Sequence, residues 1–269
     1  MELITTDSIC QLTFYILSIG ILLGSLEYLF IALKKSAKGL PNWKISKEIT
    51  FPFLDNPVIN WLFKPKNFII LLLFKMVLVF VLFFTTIFSD GWTLFILLLF
   101  LVSLLIHYRD VYGKDGSDQM QLTIILILAL CTSNLTTQNI KLYGLFFITA
   151  QSYLSYLTAG ISKILSKSWR QGNALFLIVN TASFGNVRLA KLLHKGKLSF
   201  YLGWFVIITE ILFPFTILLP FPYLIFCLSC MFLFHIINAF IMGLNIFPWA
   251  FLSTYPSIIF VNHYILNTP

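Results

Sequence analysis

With 269 residues, 59% of them hydrophobic and only 10% charged, the chain is too apolar to be a water-soluble domain. Its mean hydropathy of +0.91 and its 29 phenylalanines point to helices that face lipid or one another, an all-α integral membrane protein. The formal net charge is +8, but the Lys and Arg residues lie in loops between apolar stretches, which is the positive-inside pattern of a multi-pass protein and excludes a nucleic-acid partner.

Apolar stretches near the ~20 residues that cross a bilayer fall at Cys10–Leu33, Asn67–Phe88, Trp92–Tyr108, Met120–Thr136, Leu142–Ile164, Leu198–Leu219, Pro222–Gly243 and Phe247–Leu266. The expected architecture is therefore a polytopic bundle of about eight transmembrane helices with interfacial segments, forming a single domain over residues 1–269. The third and fourth stretches are short and the eighth is broken by Pro256, which leaves six or seven spans open. The opening MELITTDSICQLTF has no Lys or Arg, and no small-residue cleavage site follows its apolar run. The first span is thus expected to stay in the mature protein.

The basic residues set a topology. The stretches 34–66, 109–119 and 165–197 hold seven, two and six of the eighteen Lys and Arg, and alternation of eight spans puts all three on one side. They are expected in the cytoplasm, with both termini outside a cell-membrane protein. Trp169–His194 is too polar and too broken by glycine to span, yet it keeps apolar residues at helical spacing between basic ones, which suits a segment lying along the interface. Lys34–Lys66 mixes Trp43, Trp61 and Phe51 with its lysines and suits the headgroup level as well.

Cys10, Cys131, Cys227 and Cys230 sit in or beside apolar spans, as small buried hydrophobes do. No disulfide framework is indicated, and no metal site is expected from the single C-x-x-C of Cys227 and Cys230. Asp110, Asp115 and Asp118 crowd YRDVYGKDGSDQM without completing a calcium loop, and a solvated turn is the simpler reading.

Ionisable residues deep in apolar spans face a bundle interior and have a partner or a task. Five remain once the loops are removed: Glu27, Lys75, Lys163, Glu210 and His235. Glu27 and Lys75 are placed to pair across the first two spans, or Lys75 to snorkel. Glu210 precedes Pro214, whose ring removes the N–H that would bond the Glu210 carbonyl and so loosens the helix there. His235 has Asn238 one turn on, on the same face. It reads equally as a satisfied core imidazole and as a functional group. Lys163 closes its span, and its helix face also carries Ser152, Tyr156, Ala159 and Gly160, small enough in part to admit a helix or a ligand. Spacing alone does not decide between a snorkelling anchor and a desolvated base.

The run YLTAGISKILSKSWRQG, Tyr156–Gly172, resembles the Y-x-x-A-G-x-x-K-x-x-x-x-W-x-x-G pattern of the vitamin K-dependent γ-carboxylase membrane domain and of the related bacterial HTTM (horizontally transferred transmembrane) proteins. Further likenesses follow in the GSDQM turn of Gly116–Met120, the acid of TEILFP at Thr209–Pro214 and the His-bearing FHIINAFIMG of Phe234–Gly243. Lys34–Lys66 is matched poorly. The resemblance implies for Lys163 the role of the carboxylase lysine that deprotonates reduced vitamin K, the first step of oxygen-dependent carboxylase-like chemistry. It further implies that His235 and Glu210 line the same cavity, that Trp169 and Gly172 shape its rim, and that Gly160, Asn238, Gln151, Tyr156 and Asp118 support it. The carboxylase carries a large soluble peptide-binding domain after its membrane part, which this chain is expected to lack, so peptide γ-carboxylation itself does not carry over.

Two functions stay open. One is a lysine-based membrane enzyme acting on a quinone-like lipophilic cofactor or a small peptide. The other is a non-catalytic accessory component, bound to a small secreted peptide or a partner membrane protein, that serves peptide maturation or export, as some HTTM proteins do. A transporter is disfavoured because two halves with matching Gly/Pro-broken spans are not visible.

Overall fold

A computed structural model describes residues 5–33, 43, 47–48, 56–85, 91–109, 115–132, 138–181, 185–194 and 197–267. Among these residues every regular element is helical. In chain order they are α1 (Thr6–Leu33), α2 (Pro57–Leu62), α3 (Pro65–Phe84), α4 (Trp92–Arg109), α5 (Gly116–Cys131), α6 (Gln138–Leu165), α7 (Lys167–Arg170), α8 (Ala174–Val179), α9 (Val187–Leu193), α10 (Lys197–Leu212), a 3-10 segment (Phe213–Leu218), α11 (Phe221–Met242), α12 (Phe247–Leu252) and α13 (Tyr255–Asn267). Most of the loop 34–66 and Asp110 lie outside the described residues. Of its aromatics, Trp61 is exposed, whereas Trp43 is buried edge-on to Phe63 and donates to Asn60.

The described chain divides into two compact units, one formed by residues 1–144 with 249–253 and the other by 145–248 with 254–269. In the first unit α1 packs on α3 and α5, α3 on α4, and α4 on α5, which closes a four-helix bundle. Small side chains permit the contact. A Cβ on Gly20 would stand 2.9 Å from Trp249 Cβ and 2.8 Å from Gln121 Nε2, so no larger residue fits there without displacement. Ser18 and Ser25 on the inner face satisfy themselves by donating to the carbonyls of Tyr15 and Ile21 in their own helix. Trp92 is fully buried against Phe14, with ring centroids 5.4 Å apart. The acidic turn is a helix start: Asp115 accepts from the Ser117 backbone at 2.8 Å, and Asp118 returns a bond to the Asp115 N–H, which completes a capping box for α5.

Among the described residues, five helices are long and apolar enough to cross a membrane: α1, α3, α4, α10 with its 3-10 continuation, and α11. The chain is thus a multi-pass membrane protein, with five such helices among the described residues where the sequence reading expects eight. The other three expected spans are not among these five, and each has a feature that sets it apart. α5 has only 16 residues, about 24 Å of rise. α6 is 28 residues long but carries Gln151, Ser152, Ser155, Thr158, Ser162 and Lys163. The stretch Phe247–Leu266 is cut at Ser253–Thr254 into α12 and α13, and Pro256 falls in the first turn of α13, where its missing N–H is harmless.

Candidate functional site

The second unit is organised along one face of α6. Ser152, Tyr156, Gly160 and Lys163 recur at intervals of four, four and three residues, so they line one side of the helix over about 16 Å. Their partners come from the break at Ser253–Thr254, from α11 and, for both Gly160 and Lys163, from α10. At one end the Ser152 hydroxyl bonds the Thr254 hydroxyl at 3.0 Å, and Tyr153 beside it bonds Thr216 of the 3-10 segment at 3.2 Å. A turn further on, the Tyr156 hydroxyl lies 2.6 Å from Nε2 of His235 on α11. At the other end, Lys163 Nζ donates to both carboxylate oxygens of Glu210 on α10, at 2.8 and 2.7 Å.

Gly160 explains how α10 reaches the lysine. A Cβ at that position would stand 2.7 Å from Ile211 Cγ1, 3.1 Å from the Ile211 amide nitrogen and 3.2 Å from Glu210 Cβ. Only the absent side chain lets the α10 backbone approach and carry its carboxylate within reach of Lys163. The α-helix gives way immediately after this contact. α10 ends at Leu212 and the chain tightens into the 3-10 segment with Pro214 in its first turn, as the loss of a helical donor requires. Phe213, at the changeover, packs its ring on both Tyr153 and Tyr156, with centroids 5.3 and 4.4 Å away.

The pair is enclosed on its third side by α7. The Trp169 ring stands 5.3 Å from Lys163 Nζ, within cation–π reach. Trp169 is held by a tight return of the chain: Gly172 takes φ +78°, and a Cβ there would lie 2.6 Å from the Phe200 Cα. Ser199 donates to the Gly172 carbonyl, and Trp204 Nε1 donates to the Arg170 carbonyl at 3.4 Å. These bonds dock α7 on the start of α10.

Electrostatics single out Glu210. It is the only Asp or Glu after Asp118 in the whole sequence, and its side chain is 7% exposed against 21% for Lys163. A carboxylate so placed requires a cation with good geometry, and the bidentate contact supplies it. The arrangement allows one internal proton movement. Transfer from the ammonium to the carboxylate across 2.7–2.8 Å turns the ion pair into a neutral amine and a carboxylic acid, leaving the amine with a lone pair.

The residues expected from sequence divide into distinct groups. Lys163, Glu210, Gly160, Trp169 and Gly172 come together at one end of the α6 face. His235 pairs with Tyr156, seven residues and about 10 Å along the axis from Lys163. Asn238 and Gln151 are half-buried on α11 and α6. Asp118 belongs to the first unit, where it caps α5. Sequence reasoning missed Tyr153, Thr216, Phe213 and Ile211, although Tyr153 and Tyr156 stand three residues apart and so share a helix side. It also passed over the scarcity of acids that marks Glu210.

The family model of the HTTM domain matches residues 123–263, just over half of the chain. The chain belongs to the HTTM domain family. No curated protein and no solved structure matches it. The HTTM match takes in the whole face of α6 with its partners on α10, α11 and the 3-10 segment, and it begins after Asp118. The HTTM region and the second unit therefore largely coincide, and the ion pair, the tyrosine–histidine pair and the tryptophan all fall within it.

Proposed function

We propose that this HTTM protein is an enzyme of the cell membrane in which Lys163 acts as base and Glu210 and His235 carry or orient protons, on a quinone-like lipophilic cofactor or a small peptide. The observation that supports this most is the bidentate contact of Lys163 on α6 with the buried Glu210 on α10. An ordinary topology-marking lysine snorkels to water alone, whereas this one is held against the only acid of its unit, beside an aromatic ring and within a proton's reach of neutrality. Lys163 can give its proton to Glu210 and then accept another from a substrate oxygen or carbon. Tyr156 fixes the His235 ring and provides a second proton-handling pair on the same helix face.

The residues suit a flat, oxygen-bearing ring. The half-buried Trp169 would hold it by stacking and Lys163 would meet its oxygen; when bound, such a lipid supplies the electron-transfer capacity that side chains lack. We also assign the basic stretches 34–66, 109–119 and 165–197 to the cytoplasmic side and both termini to the outside, on the positive-inside count.

The decisive experiment compares Lys163→Arg and Lys163→Met with the native chain, by oxygen uptake of the purified protein supplied with a reduced naphthoquinone and by mass spectrometry of lipids that co-purify. Arginine keeps the ion pair but does not give up its proton. Uptake by the native chain that disappears in a well-folded Lys163→Arg variant supports the base. Uptake that is equal in all three proteins, or absent with only bulk phospholipid extracted, sinks it.

A second reading has its own observation. Gly160 is filled by Ile211 and Glu210 rather than left open to a ligand, as in a purely structural helix contact. In that case the protein is an accessory component for maturation or export of a secreted peptide, and Lys163→Arg leaves its function intact.

A further inference from the structure

Between Asp118 and Glu210 the sequence has no acidic residue, yet Lys167, Arg170, Arg188, Lys191, Lys195 and Lys197 all fall there. Helices α8 and α9 carry the middle of this stretch. Their inner faces close on each other through Val179, Ala190 and Leu193, with Leu175, Phe176 and Leu189 against them. The hairpin is pinned at its bend. The Asn186 backbone N–H donates to the Val179 carbonyl at 2.8 Å and its side chain caps α9 at the Leu189 N–H.

The outer face is of opposite character. Val187 is 73% exposed and Leu192 61% exposed, with Arg188 and Lys191 exposed between them. Residues at i, i+1, i+4 and i+5 share one side of a helix, so large apolar groups and cations occupy the same strip. Leu177 of α8 is 53% exposed as well. A solvated loop has no reason to present such a strip. A helix lying in the headgroup layer does, with its apolar tips at the acyl boundary and its cations among the phosphates.

We propose that the outer face of α8 and α9 is a docking surface for anionic phospholipid headgroups, with Arg188 and Lys191 on the phosphates and Val187 and Leu192 inserted beneath them. The charge balance selects the lipid: a run of cations with no neighbouring acid gains nothing from a net-neutral surface and is attracted by an anionic one. This inference is independent of any catalytic role for Lys163.

The test uses the full chain carrying Leu192→Cys, reconstituted in vesicles of phosphatidylcholine alone or with about one-third phosphatidylglycerol, a charge density that attracts basic segments. The readout is the rate of modification by a charged, membrane-impermeant maleimide, corrected for the native chain. Modification is expected to be at least about tenfold slower in the anionic vesicles, and Arg188→Gln with Lys191→Gln, or ~0.5 M salt, to abolish the difference. Equal rates in the two vesicles overturn the proposal, whether both are fast, as for a solvated face, or both slow, as for a face covered by protein or neutral lipid. Slowing in phosphatidylcholine vesicles on addition of inorganic phosphate overturns it as well, since the ligand is then a soluble anion.

Discussion

The Glu210 carboxylate receives the Lys163 ammonium on both of its oxygens, at 2.8 and 2.7 Å, from a residue 47 positions away in the chain. Removing one partner strands the other in apolar surroundings. Lys163→Met is expected to destabilise the protein by about 3 kcal/mol, the low end for a broken buried pair because the lysine is itself partly exposed. Glu210→Gln costs less, since the freed lysine can extend to the headgroups. The double variant Lys163→Met with Glu210→Gln should recover most of the loss. Thermal unfolding of the four proteins in detergent, followed by size-exclusion chromatography, measures the cycle. Additive losses in the double variant would show that the two groups do not depend on each other.

The histidine pair gives a smaller effect. Tyr156→Phe removes the 2.6 Å bond to His235 while keeping the ring that packs on Phe213. A loss of about 1–2 kcal/mol is expected from leaving a buried imidazole nitrogen short of that partner. Tyr153→Phe, which breaks the longer 3.2 Å contact with Thr216, should cost less, because Thr216 also donates to the Phe213 carbonyl at 2.7 Å. The same melting assay ranks the two variants, and the reverse order would count against the assignment.

These pairs also mark where sequence reading stops. The apolar runs of α1, α3, α4, α10 and α11 are legible because a bilayer demands about 20 apolar residues in succession, and little else produces them. The change of helix type after Glu210 is legible because proline removes a donor at a known offset. Which helices become neighbours leaves no trace in spacing. Tyr156 can meet His235, 79 positions away, only once α6 and α11 have packed, and neither residue's flanks announce the other. Glu210 is the partial exception: as the only acid after Asp118 it had to find a cation, and Lys163 is the one Lys or Arg of that region inside a predicted span. The capping role of Asp115 and Asp118 is not legible in the sequence, because it depends on where α5 begins, and helix boundaries are poorly marked there.

Gly160 tests whether the close approach of α10 is needed. In Gly160→Ala the new methyl meets the Ile211 side chain at 2.7 Å and, less forgivingly, the Ile211 backbone nitrogen at 3.1 Å. A loss of about 1–3 kcal/mol is expected from this overpacking. Ile211→Ala should rescue part of it, by removing the nearer atom while the backbone contact remains. Full rescue would mean that only the isoleucine side chain is in the way; no rescue would mean that the backbone distance alone decides.

Gly172 and Gly243 separate two reasons for glycine. Both adopt left-handed backbone, with φ +78° and +73°. At Gly243, the C-cap of α11, a Cβ would meet nothing within 4 Å. Gly243→Ala therefore carries only the conformational penalty, about 1 kcal/mol. At Gly172 the same penalty is joined by a clash with Phe200, whose Cα would lie 2.6 Å from the new atom and cannot rotate away as a side chain can. Gly172→Ala must push α7 off the start of α10, breaking the bond from Ser199 to the Gly172 carbonyl and moving Trp169 from its place over Lys163. It is expected to destabilise by at least about 2 kcal/mol more than Gly243→Ala and to raise the accessibility of Lys163 to an amine-reactive reagent, which Gly243→Ala leaves unchanged. Equal losses in the two variants, with Lys163 equally shielded in both, would show that the return at Gly172 does not hold the tryptophan over the ion pair.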